Sequence, residues 1–225
     1  MLVTGAGDGL GRATALALAK AGATVIATSK RRRRLEALDD AIRAAGKSAT
    51  LLPLDLAEPE KLLPIGPSIH ERFGRLDAVI HCAAVIGKLM PTAQLDIETL
   101  RHTITVNALA TQALIATVDP LLQASPDGRA LFLTDRLARR GKAFVAAYTT
   151  AKQAMEALVL AWATETRKSG LSVRLVAPPP LATRLRKTAY PGEPEAKQLA
   201  PEIAAERLVA LLAAAELPEA EIIDL

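Results

Sequence analysis

Aromatic side chains are nearly absent: Trp162, Tyr148, Tyr190 and three phenylalanines make up 3% of this 225-residue chain. That scarcity gives little basis for an aromatic substrate platform, and no interleaved aromatics on which nucleic-acid bases would stack. Cysteine occurs once, as Cys82, which excludes an internal disulfide and a cysteine-rich metal site. His70, His81 and His102 show no zinc-ligand spacing with carboxylates or with Cys82, so no metal centre is expected. The longest proline-free apolar run, Leu208 to Ala215, is far short of a bilayer span, and no membrane-crossing segment is expected. The opening MLVTGAG lacks the basic region, apolar stretch and cleavage site of a secretory signal, so a cytoplasmic location is the expectation. Only Leu2 and Val3 separate Met1 from the first turn; the first strand is read as very short, or as lacking residues here.

What the chain does have is apolar mass. Half of it is hydrophobic and the charges nearly balance, 28 basic against 24 acidic, which excludes wholesale disorder. The length suits one large domain or two small ones. The net +4 is local: Met1 to Lys47 holds 9 basic and 4 acidic residues, leaving −1 for the rest. Four of these charges are the unbroken run Arg31 to Arg34. No basic face extends that patch, so no nucleic-acid partner is expected.

The hydrophobic pattern alternates between strands and helices. Short apolar strands are read at Val3–Thr4, Ala23–Ser29, Ser48–Leu56, Leu76–Ala84, Arg129–Asp135 and Leu171–Pro178, with a terminal strand-like EIIDL. Helices are read at Arg12–Gly22, Leu35–Ala45, around Pro64–Phe73, from about Leu100 to Leu122, at Phe144–Ser169 and at Pro201–Ala215, where Pro201 suits a first helical turn. Leu181–Leu199 is of mixed character. Such βα units imply a parallel sheet covered on both faces. No linker or repeat divides them. The expectation is a Rossmann-like doubly wound sheet, a three-layer αβα architecture in a single domain over residues 1–225.

The turn Thr4-Gly5-Ala6-Gly7-Asp8-Gly9-Leu10-Gly11 falls where the first strand gives way to the first helix. Glycines there permit a sharp turn and let a diphosphate approach backbone amides at a helix N-terminus. Gly9 suits the close approach and Gly11 the helix packing; Arg12 faces either solvent or phosphate. The second strand ends Thr28-Ser29-Lys30-Arg31, with no acid before Glu36. A carboxylate at this point favours a free ribose hydroxyl and a cation a 2′-phosphate, so NADP(H) is favoured over NAD(H), with Lys30 and Arg31 nearest. Arg32 to Arg34 read as a solvated start of the next helix. Asp55, after the third strand, either bonds an adenine amino group or caps the next turn.

Tyr148 and Lys152, four apart, share one face of a helix. A tyrosine of ordinary pKa, about 10, is a poor base at neutral pH. A neighbouring ammonium favours the phenolate and permits proton exchange with a carbonyl or alcohol oxygen. With TGxxxGxG at residues 4–11, Asn107 in TVNALA and YTTAK at residues 148–152, the whole chain resembles the classical short-chain dehydrogenase/reductase family. Its segment LATRLRKTAYP is most similar to the bacterial YciK-like branch. The resemblance implies an oxidoreductase passing hydride between a nicotinamide cofactor and a small carbonyl or alcohol substrate. It implies Tyr148 as acid/base, Lys152 as its tuner and ribose holder, and Asn107 as support for a proton relay through water. It also implies cofactor contacts at Gly5, Asp8, Gly9, Leu10, Lys30, Arg31, Asp55, Leu56, Cys82, Ala83, Tyr148, Lys152 and Thr183. The helices around Asn107 and Phe144–Ser169 resemble the family's association surfaces, implying a homodimer or homotetramer.

Three departures stand against ordinary catalysis. The family's serine, thirteen residues before the tyrosine, is Asp135 here. A hydroxyl donates to substrate oxygen, whereas an ionised carboxylate only accepts and opposes a phenolate nearby. Asp135 is therefore carried among the catalytic positions with its role open: protonated, paired with Arg136 or Arg139, or an end to ordinary reduction. Thr134 replaces the serine only if the chain bends, since adjacent strand residues point to opposite faces. The family's Asn-Asn-Ala-Gly run is His81-Cys82-Ala83-Ala84, with His81 read as structural and Cys82 as buried filler. Its Pro-Gly after the sixth strand is Pro178-Pro179-Pro180. The segment Leu181–Leu199 is expected to be a substrate lid, with Leu185 and Tyr190 in its lining. The alternative is a catalytically weak dinucleotide-binding or regulatory protein that keeps the fold.

Overall fold

Adjacent residues of a strand face opposite sides of a sheet, and Arg129–Leu133 carries apolar side chains on both. Ala130 and Phe132 enter one apolar layer, Leu131 and Leu133 the other. This is the signature of a strand covered on both faces. The computed structural model describes every residue from Met1 to Leu225. Its strands are β1 (Leu2–Thr4), β2 (Val25–Ser29), β3 (Ala49–Pro53), β4 (Ala78–His81), β5 (Arg129–Leu133), β6 (Ser172–Ala177) and β7 (Ile222–Asp224). They form one sheet in the order β3-β2-β1-β4-β5-β6-β7, and every neighbouring pair is parallel.

Helices α1 (Gly9–Lys20), α2 (Arg32–Arg43) and α8 (Pro201–Ala213) cover one face, burying Leu18, Leu38 and Leu208 among others. Helices α3 (Ile65–Phe73), α4 (Ile97–Ile104), α5 (Ala110–Gln123) and α6 (Ala146–Glu165) cover the other, with Leu114, Met155 and Trp162 in the layer. A short helix α7 (Arg184–Ala189) lies in the connection between β6 and α8. The three layers are the expected Rossmann-like architecture.

The structure departs from the sequence reading at three points that matter. The second helix opens at Arg32, so the arginine run does supply its first turn, but Arg34 faces the cleft instead of being solvated with its neighbours. Strand β5 ends at Leu133, because Asp135 turns the chain and caps a short 3₁₀ turn, Arg136–Arg139. The helix read from about Leu100 starts at Ile97, with Asp96 accepting from the Thr99 amide at 2.6 Å, and Thr105–Leu109 forms a π-helical turn inside it. The rod Ile97–Gln123 is long and apolar enough, by length and composition alone, to cross a membrane. Here 56% of its most apolar window is buried, packed over the sheet, as in a core helix of a folded domain.

The chain runs from β1 outward to β3, then returns to β4 on the other side of β1. Beyond the C-terminal ends of β1 and β4 the flanking loops diverge, which opens a crevice in such sheets. Thr4 and His81 are register partners across this junction, and their side chains bond at 2.7 Å.

Candidate active site

The crevice is a cleft of about 910 Å³. All of the cofactor positions expected from sequence line it, from Gly5 to Thr183, together with Asp135. Asn107 alone does not; it is 1% exposed, just behind the wall.

At one end is the glycine turn. Asp8 caps α1, its Oδ1 accepting from the Gly9 amide at 2.9 Å. The first amides of a helix have no partner within it, and Leu10 and Gly11 bring those of α1 to the cleft wall. Gly9 has φ +48°, and a Cβ there would lie 3.1 Å from the Thr183 methyl. A Cβ on Gly11 would fall 2.4 Å from the Gly5 carbonyl oxygen, so only glycine lets α1 seat so closely on the turn. This cradle, with orphan amides and cations around it, fits a dinucleotide diphosphate.

The cations gather around Asp8 and the end of β2. Lys30 and Arg31 line the cleft, as expected. Arg34 does too, and its guanidinium bonds Asp8 Oδ2; Arg184, at the start of α7, reaches the same oxygen at 3.1 Å. Burial opposes ionisation of Asp8, but the two guanidiniums and the Gly9 amide outweigh it and hold the carboxyl below its ordinary range. Arg34 was not separated from its neighbours by sequence reasoning. The signal was helical phase: four residues before the buried Leu38, it stands on the inward face of α2. Asp55 caps the next turn, accepting from the Ala57 amide at 3.0 Å, and its other oxygen lies 4.0 Å from Lys30. Leu56 and Ala83 complete the walls, and Leu56 is buried.

At the other end stand Tyr148 and Lys152, 6% and 3% exposed, one turn apart on α6. Lys152 Nζ donates to the Leu133 carbonyl at 2.7 Å. Burial lowers it to about 8, against the opposing charges of Asp135, Cys82 and Glu156. The Tyr148 phenol is pushed up from its ordinary value, first by burial and then by Asp135, while Arg186 acts against them. The lowering expected from the ammonium is not what this arrangement produces. Enclosure and a facing carboxylate favour the neutral phenol.

Asp135 forms no ion pair with Arg136 or Arg139. Arg136 is bound by Asp224 at 2.8 Å, and Arg139 by Glu156 and Glu221 at 2.7 and 2.5 Å. Its Oδ1 accepts from the Leu137 amide at 2.9 Å. Thr134 also lines the cleft, but its hydroxyl proton is committed to the buried carboxylate of Glu156, so it does not stand in for the family's serine as a donor. Glu156 continues the spacing Tyr148, Lys152, Glu156 along α6. That i, i+4, i+8 pattern was the available signal, and sequence reasoning passed over it.

Asn107 occupies the π-helical turn and clamps the loop after β4. Its Oδ1 accepts from the Val85 amide at 2.9 Å and its Nδ2 donates to the Val85 carbonyl at 2.8 Å. His81 is held between hydroxyls, Thr4 on Nδ1 and Thr111 on Nε2 at 3.3 Å. Burial, helped by Lys152, drives it down to about 3, so it is a neutral structural residue. Burial pushes the Cys82 thiol up to about 12, which makes it inert filler rather than a nucleophile. Ala84 keeps a negative φ, so the lost glycine costs no backbone strain.

The connection between β6 and α8 arches over the cleft. Its base is closed by a bridge between Leu181 and Leu199, with the Leu199 amide donating to Pro180 O at 2.7 Å. Thr183 caps α7, its hydroxyl accepting from the Arg186 amide at 3.2 Å. Leu185 lines the main cleft, and Tyr190 a small side cavity shared with Asp135 and Tyr148. Lys142 and Arg186 lie 3.3 and 3.7 Å from the Tyr190 ring centroid.

A parallel αβα sheet, a glycine cradle and a tyrosine–lysine pair in one cleft define a nucleotide-dependent oxidoreductase architecture. Residues 1–194 match the family model for short chain dehydrogenase, and the chain belongs to that family. It is thereby an enzyme of the dehydrogenase/reductase kind. Over 204 residues it is 31% identical to the oxidoreductase YciK of Escherichia coli strain K12, covering 89% of this chain and 81% of that protein. A short-chain dehydrogenase of Shigella flexneri 2a strain 301, solved with NADP, superposes with a TM-score of 0.93 at 28% identity, covering 99% of this chain and 94% of that one. One from Escherichia coli CFT073, solved with NADPH, gives 0.91 at 28% identity, with the same 99% and 94% coverage.

Proposed function

We propose that this protein is an NADPH-dependent oxidoreductase acting between a carbonyl and an alcohol, with Tyr148 as the proton-exchanging group. The observation that carries the reading is the placement of Tyr148 and Lys152 at one end of a cleft whose other end is a glycine cradle ringed by Lys30, Arg31 and Arg34. When bound, the reduced nicotinamide supplies the hydride. Gly9, Leu10 and Thr183 would face its diphosphate, Lys30 and Arg31 its 2′-phosphate, and Asp55, Leu56, Cys82 and Ala83 would line its path. The relatives solved with NADP and NADPH support the phosphorylated cofactor.

The chain's own part is proton handling and orientation. A neutral phenol in a dry wall holds the proton that a carbonyl oxygen needs as it becomes an alcohol. Lys152, near 8, supplies a positive field at that oxygen and a donor for ribose hydroxyls. Asn107 fixes the loop after β4 through its side chain, and its carbonyl, which already accepts from the Thr111 hydroxyl, would also hold the relay water. Asp135, in the cleft wall with Tyr148, would touch substrate. Exposed Ile97 and Leu109 on the α4–α5 rod suit a homodimer or homotetramer, and a cytoplasmic site fits the family's small-molecule substrates.

Fluorescence titration with NADPH and NADH, followed by turnover on a carbonyl panel, tests the reading. Tighter NADPH binding and NADPH consumption are expected; tighter NADH binding would remove the ribose-phosphate assignment. The carboxylate at position 135 favours one second reading, a dinucleotide-binding protein with little turnover. Tight NADPH binding with no consumption on any carbonyl would select it.

A further inference from the structure

Asp135 stands where a hydroxyl donor to the substrate oxygen would be, and three observations define what it can accept. One oxygen is held by the Leu137 amide, and the other accepts from no group of the protein. The nearby cations are engaged elsewhere. Arg136 pairs with Asp224, Arg139 with Glu156 and Glu221, and Arg186 makes a two-point pair with Glu193 at 2.7 and 2.6 Å. Lys142 lies over the Tyr190 ring rather than on the carboxylate. The only hydroxyl at the end of β5, Thr134, is turned to Glu156. The carboxylate is also close enough to Tyr148 and Lys152 for its charge to act on both.

Water can satisfy this half-buried oxygen in the open cleft, but a substrate that displaces the water must donate to the carboxylate itself or lose a charge-assisted hydrogen bond. The lining beside it is apolar, with Leu137, Leu185, Ile86 and Val145 around the main cleft and its side cavity. A plain ketone offers no donor and brings a partly negative oxygen toward a negative charge. A substrate with a donor one or two bonds from the reacting carbon resolves both problems.

We propose that Asp135 is a specificity-determining residue that selects substrates bearing a hydrogen-bond donor, a hydroxyl or an ammonium, on the carbon next to the reacting carbonyl. The inference rests on the NADPH oxidoreductase reading and narrows its substrate class to α-hydroxy and α-amino ketones, or the matching diols and amino alcohols. The donor's hydrogen bond offsets the carboxylate's field at the reacting oxygen, while Tyr148 still gives its proton to that oxygen. The phenol O–H bond breaks as the product O–H bond forms; the hydride would come from the ring C–H bond of the reduced nicotinamide to form the new C–H bond, the carbonyl π pair going to oxygen and NADP⁺ being the oxidised product.

The experiment compares acetophenone, 2-hydroxyacetophenone and 2-aminoacetophenone as probes, with NADPH, in the wild type, Asp135→Ser and Asp135→Asn. Asp135→Asn keeps an oxygen for the Leu137 amide and so controls for folding. In the wild type, kcat/KM is expected to favour a donor-bearing ketone over acetophenone by roughly tenfold or more, the scale of one charge-assisted hydrogen bond. In Asp135→Ser the preference collapses and acetophenone reduction rises by a similar factor; in Asp135→Asn the amino ketone loses most. The two donor probes separate a hydroxyl from an ammonium source. Equal kcat/KM for all three ketones in the wild type overturns the proposal, as does a preference that survives in Asp135→Ser. Bound NADPH with no ketone reduced by any of the three proteins, like failure to bind NADPH at all in the same fluorescence titration, instead overturns the oxidoreductase reading on which the proposal rests.

Discussion

The Thr134 hydroxyl donates to the carboxylate of Glu156, two buried side chains joined behind the end of β5. This bond commits the Thr134 hydroxyl to α6, while Asp135, beyond the last residue of β5, caps the turn Arg136–Arg139 and lines the cleft with its carboxylate. Glu156 is further held by Arg139, which Glu221 supports from near the C-terminus. The availability of that hydroxyl therefore depends on a contact between the end of β5 and α6, one turn beyond Lys152.

Removing that anchor is expected to loosen the fold locally. Glu156→Ala leaves the Thr134 hydroxyl buried without its acceptor, and a loss of about 1–3 kcal/mol is expected from the midpoint of urea unfolding. Glu156→Gln keeps the shape and an acceptor, so its loss is expected to be the smaller of the two. Equal losses for both would mean that packing, not the bond to Thr134, holds this corner.

Tyr148→Phe removes the phenolic proton and little else, because the ring stays in the same apolar wall. Turnover is expected to fall by roughly 10²–10⁴-fold, the usual scale of one positioned acid/base. NADPH affinity, measured by fluorescence, is expected to change by no more than a few-fold. A variant with unchanged turnover would take Tyr148 out of the chemistry.

Cofactor selection is expected to sit with the cations at the end of β2. Lys30→Ala and Arg31→Ala should each weaken NADPH by about tenfold while leaving NADH nearly as it was, since each removes one charged contact to a phosphate. Arg34→Ala should also weaken NADPH and, by releasing Asp8, disturb the cap of α1. Isothermal titration with both cofactors gives the ratios.

Lys152 sets a stability slope in alkaline solution. Its native pKa, about 8, lies below the ordinary value near 10.5 because of burial. Between those values the unfolded chain holds the proton and the native chain does not, so stability rises with pH there. The Tyr148 phenol, shifted upward, acts in the opposite sense above its ordinary value near 10. The Cys82 thiol, also shifted upward, acts in that same opposing sense above its ordinary value near 9, so the clean window is pH 8 to 9. Across it, the wild type is expected to gain stability relative to Lys152→Met, by at most about 1.4 kcal/mol per pH unit. Parallel urea midpoints for the two proteins across that range would contradict the shift.

Much of the architecture was legible because it rests on local patterns. Short apolar strands alternated with helical periods, and the glycine turn lay where β1 meets α1. Helix boundaries were less legible, because capping and packing set them: capped by Asp96, α4 starts at Ile97, about three residues before the apolar phase suggested. The π-helical turn at Thr105–Leu109 has no period of its own to read. Arg34 was hidden within a run of four like residues read together as solvated, because its partner Asp8 lies far away along the chain.

Sequence alone determined the order of strands and helices, the placement of the glycine turn, the tyrosine–lysine spacing and the local excess of positive charge. Each depends on residues close together along the chain. The state of those groups is a tertiary property, because charge and burial act through space. Only the folded protein raises the Tyr148 phenol instead of lowering it, ties Arg34 and Arg184 to Asp8, and turns Thr134 to Glu156. The same folding leaves one oxygen of Asp135 open to the cleft, where few aromatics, a single inert thiol and the tyrosine–lysine pair share the space.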